Sequence, residues 1–140
     1  MAVKLSDQTI KLIKGKNFAF VGTLMPDGQP QVSPMWVEYD GSHIVLNSEV
    51  KRVKVQNLRR DARVSVSIAD MENPYQYVEI RGRVVDMTTE GAPEHIDRLA
   101  NKYLGQDTYP YNQPGDQRII MKVEPLSVSG TATGSETQAA

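Results

Sequence analysis

IVLNSEVKRVKVQNLRRDAR, residues 44–63, joins a short apolar strand to a basic segment through Asn47 and Ser48. The cations Lys51, Arg52, Lys54, Arg59 and Arg60 fall within ten positions of one another, although the whole chain has a formal net charge of -1. The cluster is therefore local and is not a by-product of a basic composition. Backbone donors at a helix start, small hydroxyl and amide side chains and adjacent cations together suit a bound phosphate. Arg52 and Lys54 are two positions apart, so in a regular helix they would point about 200° from each other. They can meet one phosphate only if the helix starts near Val53, which also places the phosphate at its free amides. A solvated basic face is the competing reading. Val50, Val53 and Val55 weigh against it, because they mark a packed segment despite poor helix propensity. Arg59, Arg60 and Arg63, with Asp61 among them, suit ion pairs at a surface or interface.

On either side of this stretch the pattern is mostly that of strands. Residues 6–14 open with Ser6 as an N-cap and end at Gly15, which predicts a short helix. FAFVGTL, QPQVSPMWVEY and HIVLN are separated by the turn signals Pro26-Asp27-Gly28 and Asp40-Gly41, and predict a three-stranded meander. Pro30 and Pro34 make the second of these strands an edge, or irregular. The basic segment is expected to form a helix of about three turns. In ARVSVSIAD, Val64, Val66 and Ile68 alternate with polar residues, the signature of a half-buried strand. YQYVEIRGRVVDM predicts another strand, with Gly82 a bulge or close-approach point. APEHIDRLANKYL places Ile96, Leu99, Ala100, Tyr103 and Leu104 on one helical stripe. A polar loop precedes the last strand, QRIIMKVEPLSVSG. Six strands with three inserted helices predict a mainly β fold, a closed or nearly closed barrel. Residues 1–130 are expected to form one domain and residues 131–140 a flexible tail.

Composition narrows the chemistry. The 140-residue chain has no cysteine and only two histidines, His43 and His95, which leaves out disulfides, thiolate chemistry and histidine-rich metal sites. No apolar run approaches the roughly 20 residues of a membrane span and no signal segment is evident, so no membrane role and a cytoplasmic location are expected. No aromatic residue interleaves the cations and the chain is not basic, so nucleic acid is not the expected partner. The second constellation is Ser33, Pro34, Met35 and Trp36, which holds the only tryptophan. An irregular strand here frees backbone groups for the polar edge of a flat heterocycle; the bland alternative places Met35 and Trp36 in the core.

DGQPQVSPMWVEYDG, LNS, KRVKVQNLRRDARVSVSI and YVEIRGRVV, in that order, resemble the pyridoxamine-phosphate-oxidase-like split β-barrel family. IDRLANKYLGQDTYP and RIIMKVEPLSVSG are similar to the branch that uses the deazaflavin coenzyme F420 in place of FMN. The resemblance implies a homodimer of six-stranded split barrels with two cofactor sites at the subunit interface. It gives the phosphate to the segment of Asn47, Ser48, Lys51, Arg52 and Lys54, and the tricyclic ring to backbone groups of Ser33, Pro34, Met35 and Trp36. Asn57 is expected to brace the site, and Tyr75, Gln76 and Tyr77 to approach the ring from the other subunit. The implied activity is an F420-dependent oxidoreductase acting on an enone, a quinone or a tetrapyrrole-like molecule. FMN is the alternative cofactor, and a non-enzymatic flavin or F420 carrier the alternative role. Lys51, Arg59 or Arg60 are candidates for the acidic tail of F420. The chain lacks the C-terminal basic pair that true pyridoxamine-phosphate oxidases use, which speaks against vitamin-B6 oxidation. No side chain stands out as a proton donor: Tyr103 fits the core stripe, and His95, near a helix start, is expected to be exposed.

Overall fold

The computed structural model describes residues 2–133. Helix α1 (Asp7–Lys14) precedes the hairpin β1 (Ala19–Leu24) and β2 (Pro30–Met35). Then come β3 (Glu38–Tyr39), β4 (Ile44–Glu49), α2 (Val53–Arg60), β5 (Arg63–Ala69), β6 (Tyr77–Thr88), α3 (Ala92–Leu104) and β7 (Arg118–Ser129). The strands form one antiparallel seven-stranded sheet in the order β2-β1-β5-β6-β7-β4-β3. The two edge strands are consecutive in the chain, joined only by Trp36 and Val37. The sheet must therefore curl until its edges nearly meet, which gives the barrel shape.

Seven strands replace the expected six because the second β-rich run breaks at Trp36 and Val37. The Val37 backbone is satisfied from α3 rather than by a ladder partner. Its N–H donates to Tyr103 Oη at 3.2 Å, and its carbonyl accepts from Lys102 Nζ at 2.7 Å. With both groups taken by side chains, the strand can leave one edge of the sheet and re-enter at the other. The expected meander is correspondingly partial. β4 pairs with the two-residue β3 on one side and with β7 along its whole length on the other.

The barrel interior is filled by alternate residues of the strands: Val21, Ile44, Leu46, Val66, Ile68, Val78, Ile80, Met121 and Val123 are all at or near zero exposure. β4 is buried along its full length, since one face looks into the barrel and α3 covers the other. Ile96, Leu99 and Ala100 on α3 are buried as expected, whereas Tyr103 is half-buried and Leu104 exposed. Ser6 caps α1 by accepting the Thr9 N–H at 3.2 Å, and Gly15 ends the helix. Gly82 sits at a register shift between β6 and β7, where a Cβ would overlap the Glu124 carbonyl oxygen.

α2 is eight residues long, nearer two turns than three, and starts at Val53 with Arg52 in extended conformation before it. The end of the domain also lies beyond residue 130. Ala132 is buried, its N–H bonds the Tyr77 carbonyl at 2.9 Å and its carbonyl accepts from Thr9 Oγ1 at 3.1 Å. The rest of the expected tail, residues 134–140, lies outside the described residues.

Candidate functional site

The end of β4, the start of α2, the β2–β3 corner and the loop after α3 enclose a cleft of about 490 Å³. Ser33, Pro34, Met35 and Trp36 line it from the corner, Asn47, Ser48 and Glu49 from β4, and Arg52 and Lys54 from the helix start. Phe18, Ile96, Tyr109, Tyr111 and Arg118 complete it. The two constellations read separately from the sequence thus face one cavity. Arg52 and Lys54 share it because the helix begins between them, as their spacing requires.

The cationic end carries three charges. Arg118, the first residue of β7, is placed opposite Glu49 by the β4–β7 register. Its Nε donates to Asn47 Oδ1 at 3.0 Å, and its guanidinium lies 5.0 Å from the Tyr109 ring centroid. Burial, and then the charges of Arg52 and Arg118, push the Lys54 ammonium below its ordinary value. Burial also lowers Arg118, opposed by Tyr109, Asp116 and Glu49. Neither Arg52 nor Lys54 has an ion-pair partner among the described residues. Glu49, whose carboxylate accepts the Lys51 N–H at 3.0 Å and the Gln117 N–H at 3.2 Å, adds one negative charge here, which the three cations outnumber. Converging, partly desolvated cations at a helix N-terminus suit an anion.

Much of the remaining lining is aromatic, and Tyr109 joins it to the cationic side. Trp36 stacks on Tyr103 with centroids 5.2 Å apart, and Phe18 stacks on the same tyrosine at 5.9 Å. Tyr109 meets Trp36 edge-on at 5.8 Å and Tyr111 at 5.6 Å. β2 is an edge strand, so one side of its backbone is left unpaired by the sheet. Ser33 keeps a buried Oγ without a hydrogen-bond partner among the described residues. An orphaned hydroxyl and a free strand edge beside flat side chains fit the polar rim of a planar ring. The donor set therefore fits a ligand with a ring at one end and a phosphate at the other. Tyr103 is not a proton donor to it: its hydroxyl donates to the Asn17 carbonyl at 2.6 Å, and burial raises it to about 12.

Several expected site residues lie elsewhere. Lys51 is exposed and off the cleft wall. Asn57 is buried on the other side of α2, donating to Thr23 Oγ1 at 2.9 Å and accepting from Arg60 at 3.0 Å, so it braces helix against β1 and touches no cleft. Tyr75, Gln76 and Tyr77 sit around the β5–β6 turn, outside the cleft. Asn47 lines the cleft with its amide spent on protein partners, Arg118, the Ala92 carbonyl and His95. Arg60 is engaged with the Leu24 carbonyl rather than free for a ligand tail, and Arg63 pairs with Asp61 at 2.7 Å, a surface ion pair of the kind expected. His95 is 1% exposed, contrary to expectation, because Asn47 and Glu38 give its ring polar partners inside the packing.

A curled antiparallel barrel with a cation-lined cleft at a strand–helix junction defines a protein of the split-barrel class. The pyridoxamine 5'-phosphate oxidase family model matches residues 5–132, and the chain belongs to that family. Among solved structures, a protein named F420 reductase superposes with a TM-score of 0.77 at 29% identity, over 89% of this chain and 98% of that one. A conserved hypothetical protein of Mycobacterium tuberculosis gives 0.68 at 24% identity, over 91% and 84% of the two chains. General Stress Protein 26 of Bacillus anthracis gives 0.65 at 13% identity, over 88% and 90%. The last two are similar in fold alone. No helix among the described residues is long and apolar enough to cross a membrane.

Proposed function

We propose that this protein binds coenzyme F420 in the cleft and acts as an oxidoreductase on an electron-poor small molecule, an enone, quinone or tetrapyrrole-like compound. The observation that carries this reading is the convergence of Arg52, Lys54 and Arg118 on a cavity also lined by Trp36, Tyr109 and Tyr111. The likeness to a protein named F420 reductase supports the deazaflavin. Such a cofactor supplies the hydride when bound. The chain's own part is to hold the phosphate with three cations, to offer Ser33 and the β2 edge to the ring's polar rim, and to shield the ring face with Trp36, Tyr109 and Tyr111. FMN is the second reading, because the same seat would take its phosphate.

The same proposal includes a second copy of the chain. Phe20 and Val32 are 46% and 67% exposed, and share one face of the β1–β2 hairpin with Pro34 at the cleft. An apolar patch next to the site suits a homodimer whose cofactor lies at the interface, with Tyr75, Gln76 and Tyr77 reaching the ring from the partner. Fluorescence titration of the purified protein with F420 and with FMN tests the cofactor. Tighter binding of F420 is expected, and failure to bind either one overturns the proposal.

A further inference from the structure

A buried polar chain runs from the protein surface to Arg118, and Asn47 on β4 is its middle link. Asn47 Oδ1 accepts from Arg118 Nε at 3.0 Å, while Nδ2 donates to the Ala92 carbonyl at 3.0 Å and lies 3.0 Å from His95 Nδ1. A guanidinium only donates and a carbonyl only accepts, so two independent neighbours fix which way the amide points. Facing Nδ2, His95 Nδ1 has to be the accepting nitrogen, and the proton of the neutral ring sits on Nε2. Nε2 lies 3.1 Å from Glu38 Oε1, an ion-pair distance though off hydrogen-bond geometry, and Arg98 Nη2 reaches the same oxygen at 3.5 Å. A leucine would fill this place between α3 and β4 without burying a polar ring.

We infer that His95 is a positioning residue: with Nδ1 as its accepting nitrogen, it orients Asn47, and through Asn47 it holds Arg118 toward the cofactor phosphate, an assignment that rests on the cofactor reading above. Protonating Nδ1 sets one N–H against another. Asn47 escapes that clash only by turning its amide, which then presents Nδ2 to Arg118 and drives the guanidinium away. The charged groups facing His95 are Glu38 from β3, Arg98 on its own helix, and Arg118 from β7 by way of Asn47. β4 contributes the neutral amide. The state of a ring sealed beneath the cleft is thereby felt at its wall.

The test compares two dissociation constants, for F420 and for its phosphate-free chromophore. The chromophore lacks the phosphodiester that F420 carries, so the ratio isolates the protein's contribution to holding the phosphate and the tail beyond it. In the wild-type protein the ratio favours F420. His95→Leu lowers that preference about tenfold, the scale of one charge-assisted hydrogen bond, and leaves the phosphate-free chromophore unaffected. His95→Asn, which keeps an acceptor close to the Nδ1 position, restores most of it. Equal binding of both ligands by wild type overturns the cofactor reading and the inference with it. A wild-type preference that survives intact in His95→Leu overturns the positioning role alone. Should His95→Leu fail to fold, His95→Gln, which carries its amide toward the Nε2 position and leaves Nδ1 without a counterpart, takes its place, and a preference equal to that of wild type overturns the role.

Discussion

Replacing Lys54 by methionine should make the ligand-free protein more stable and its complex with F420 weaker. The Lys54 ammonium is held below its ordinary value by burial and by the charges of Arg52 and Arg118, so it is a cost to the fold that only an anion relieves. Methionine keeps the length and flexibility of the stem without the charge. Two like-charged neighbours, each worth roughly 0.3–0.5 kcal/mol at a half-buried position, give a gain of about 0.5–1 kcal/mol. For a domain of this size that raises the melting temperature by about 2–4 °C. Loss of a charge-assisted hydrogen bond to the phosphate costs roughly 1.5–3 kcal/mol, on the order of ten- to a hundredfold in dissociation constant. Calorimetric melting without ligand and fluorescence titration with F420 read the two effects separately. The pH dependence carries a sign of its own. The folded-state value of Lys54 lies below the 10.5 of the free side chain, so the unfolded chain binds more protons in the window between them. Wild type therefore gains stability as pH rises through that window, and Lys54→Met lacks this gain. Unchanged F420 affinity together with an unchanged or lowered melting temperature would refute the reasoning, because Lys54 would then be an ordinary surface cation.

Asn57→Leu should destabilise the fold by roughly 1–3 kcal/mol by removing its buried hydrogen bonds to Thr23 and Arg60, yet leave F420 affinity unaltered once folded; denaturant melts and the titration check both. Gly82→Val should cost on the order of 3 kcal/mol or more, since its Cβ meets backbone at Glu124, and a melting temperature near that of wild type would contradict the assigned packing. Phe20→Glu with Val32→Glu should yield monomers in sedimentation equilibrium with little loss of secondary structure, and weaken F420 binding in step. Dimers that persist would move the interface to another face.

The parts of this fold visible from the sequence are those set by near neighbours. Val64, Val66 and Ile68 alternate along β5 as their pattern requires, and the Arg52–Lys54 spacing, if the two share one phosphate, puts a helix start near Val53, where α2 begins. What escaped depends on groups far apart in the chain. The break at Val37 is made by Lys102 and Tyr103 from α3, and no local pattern at Trp36 and Val37 reveals them. Arg118 reaches the cleft through the β4–β7 register, which aligns it with Glu49; as one cation in an alternating strand it carries no signal of its own. Tyr109 and Tyr111 were hidden in a polar loop, where two aromatics separated by one proline were the available hint. His95 looked exposed because its position near a helix start says nothing of Asn47 and Glu38, which make its burial tolerable.

The central claim is that Arg52, Lys54 and Arg118 together seat a cofactor phosphate. A crystal structure of the protein grown with F420 tests it most directly. The account predicts phosphate oxygens within hydrogen-bond distance of all three cations and of the first amides of α2, with the ring lying between Ser33 and Trp36. A phosphate seated elsewhere, or bound to the surface without these three side chains, would contradict it.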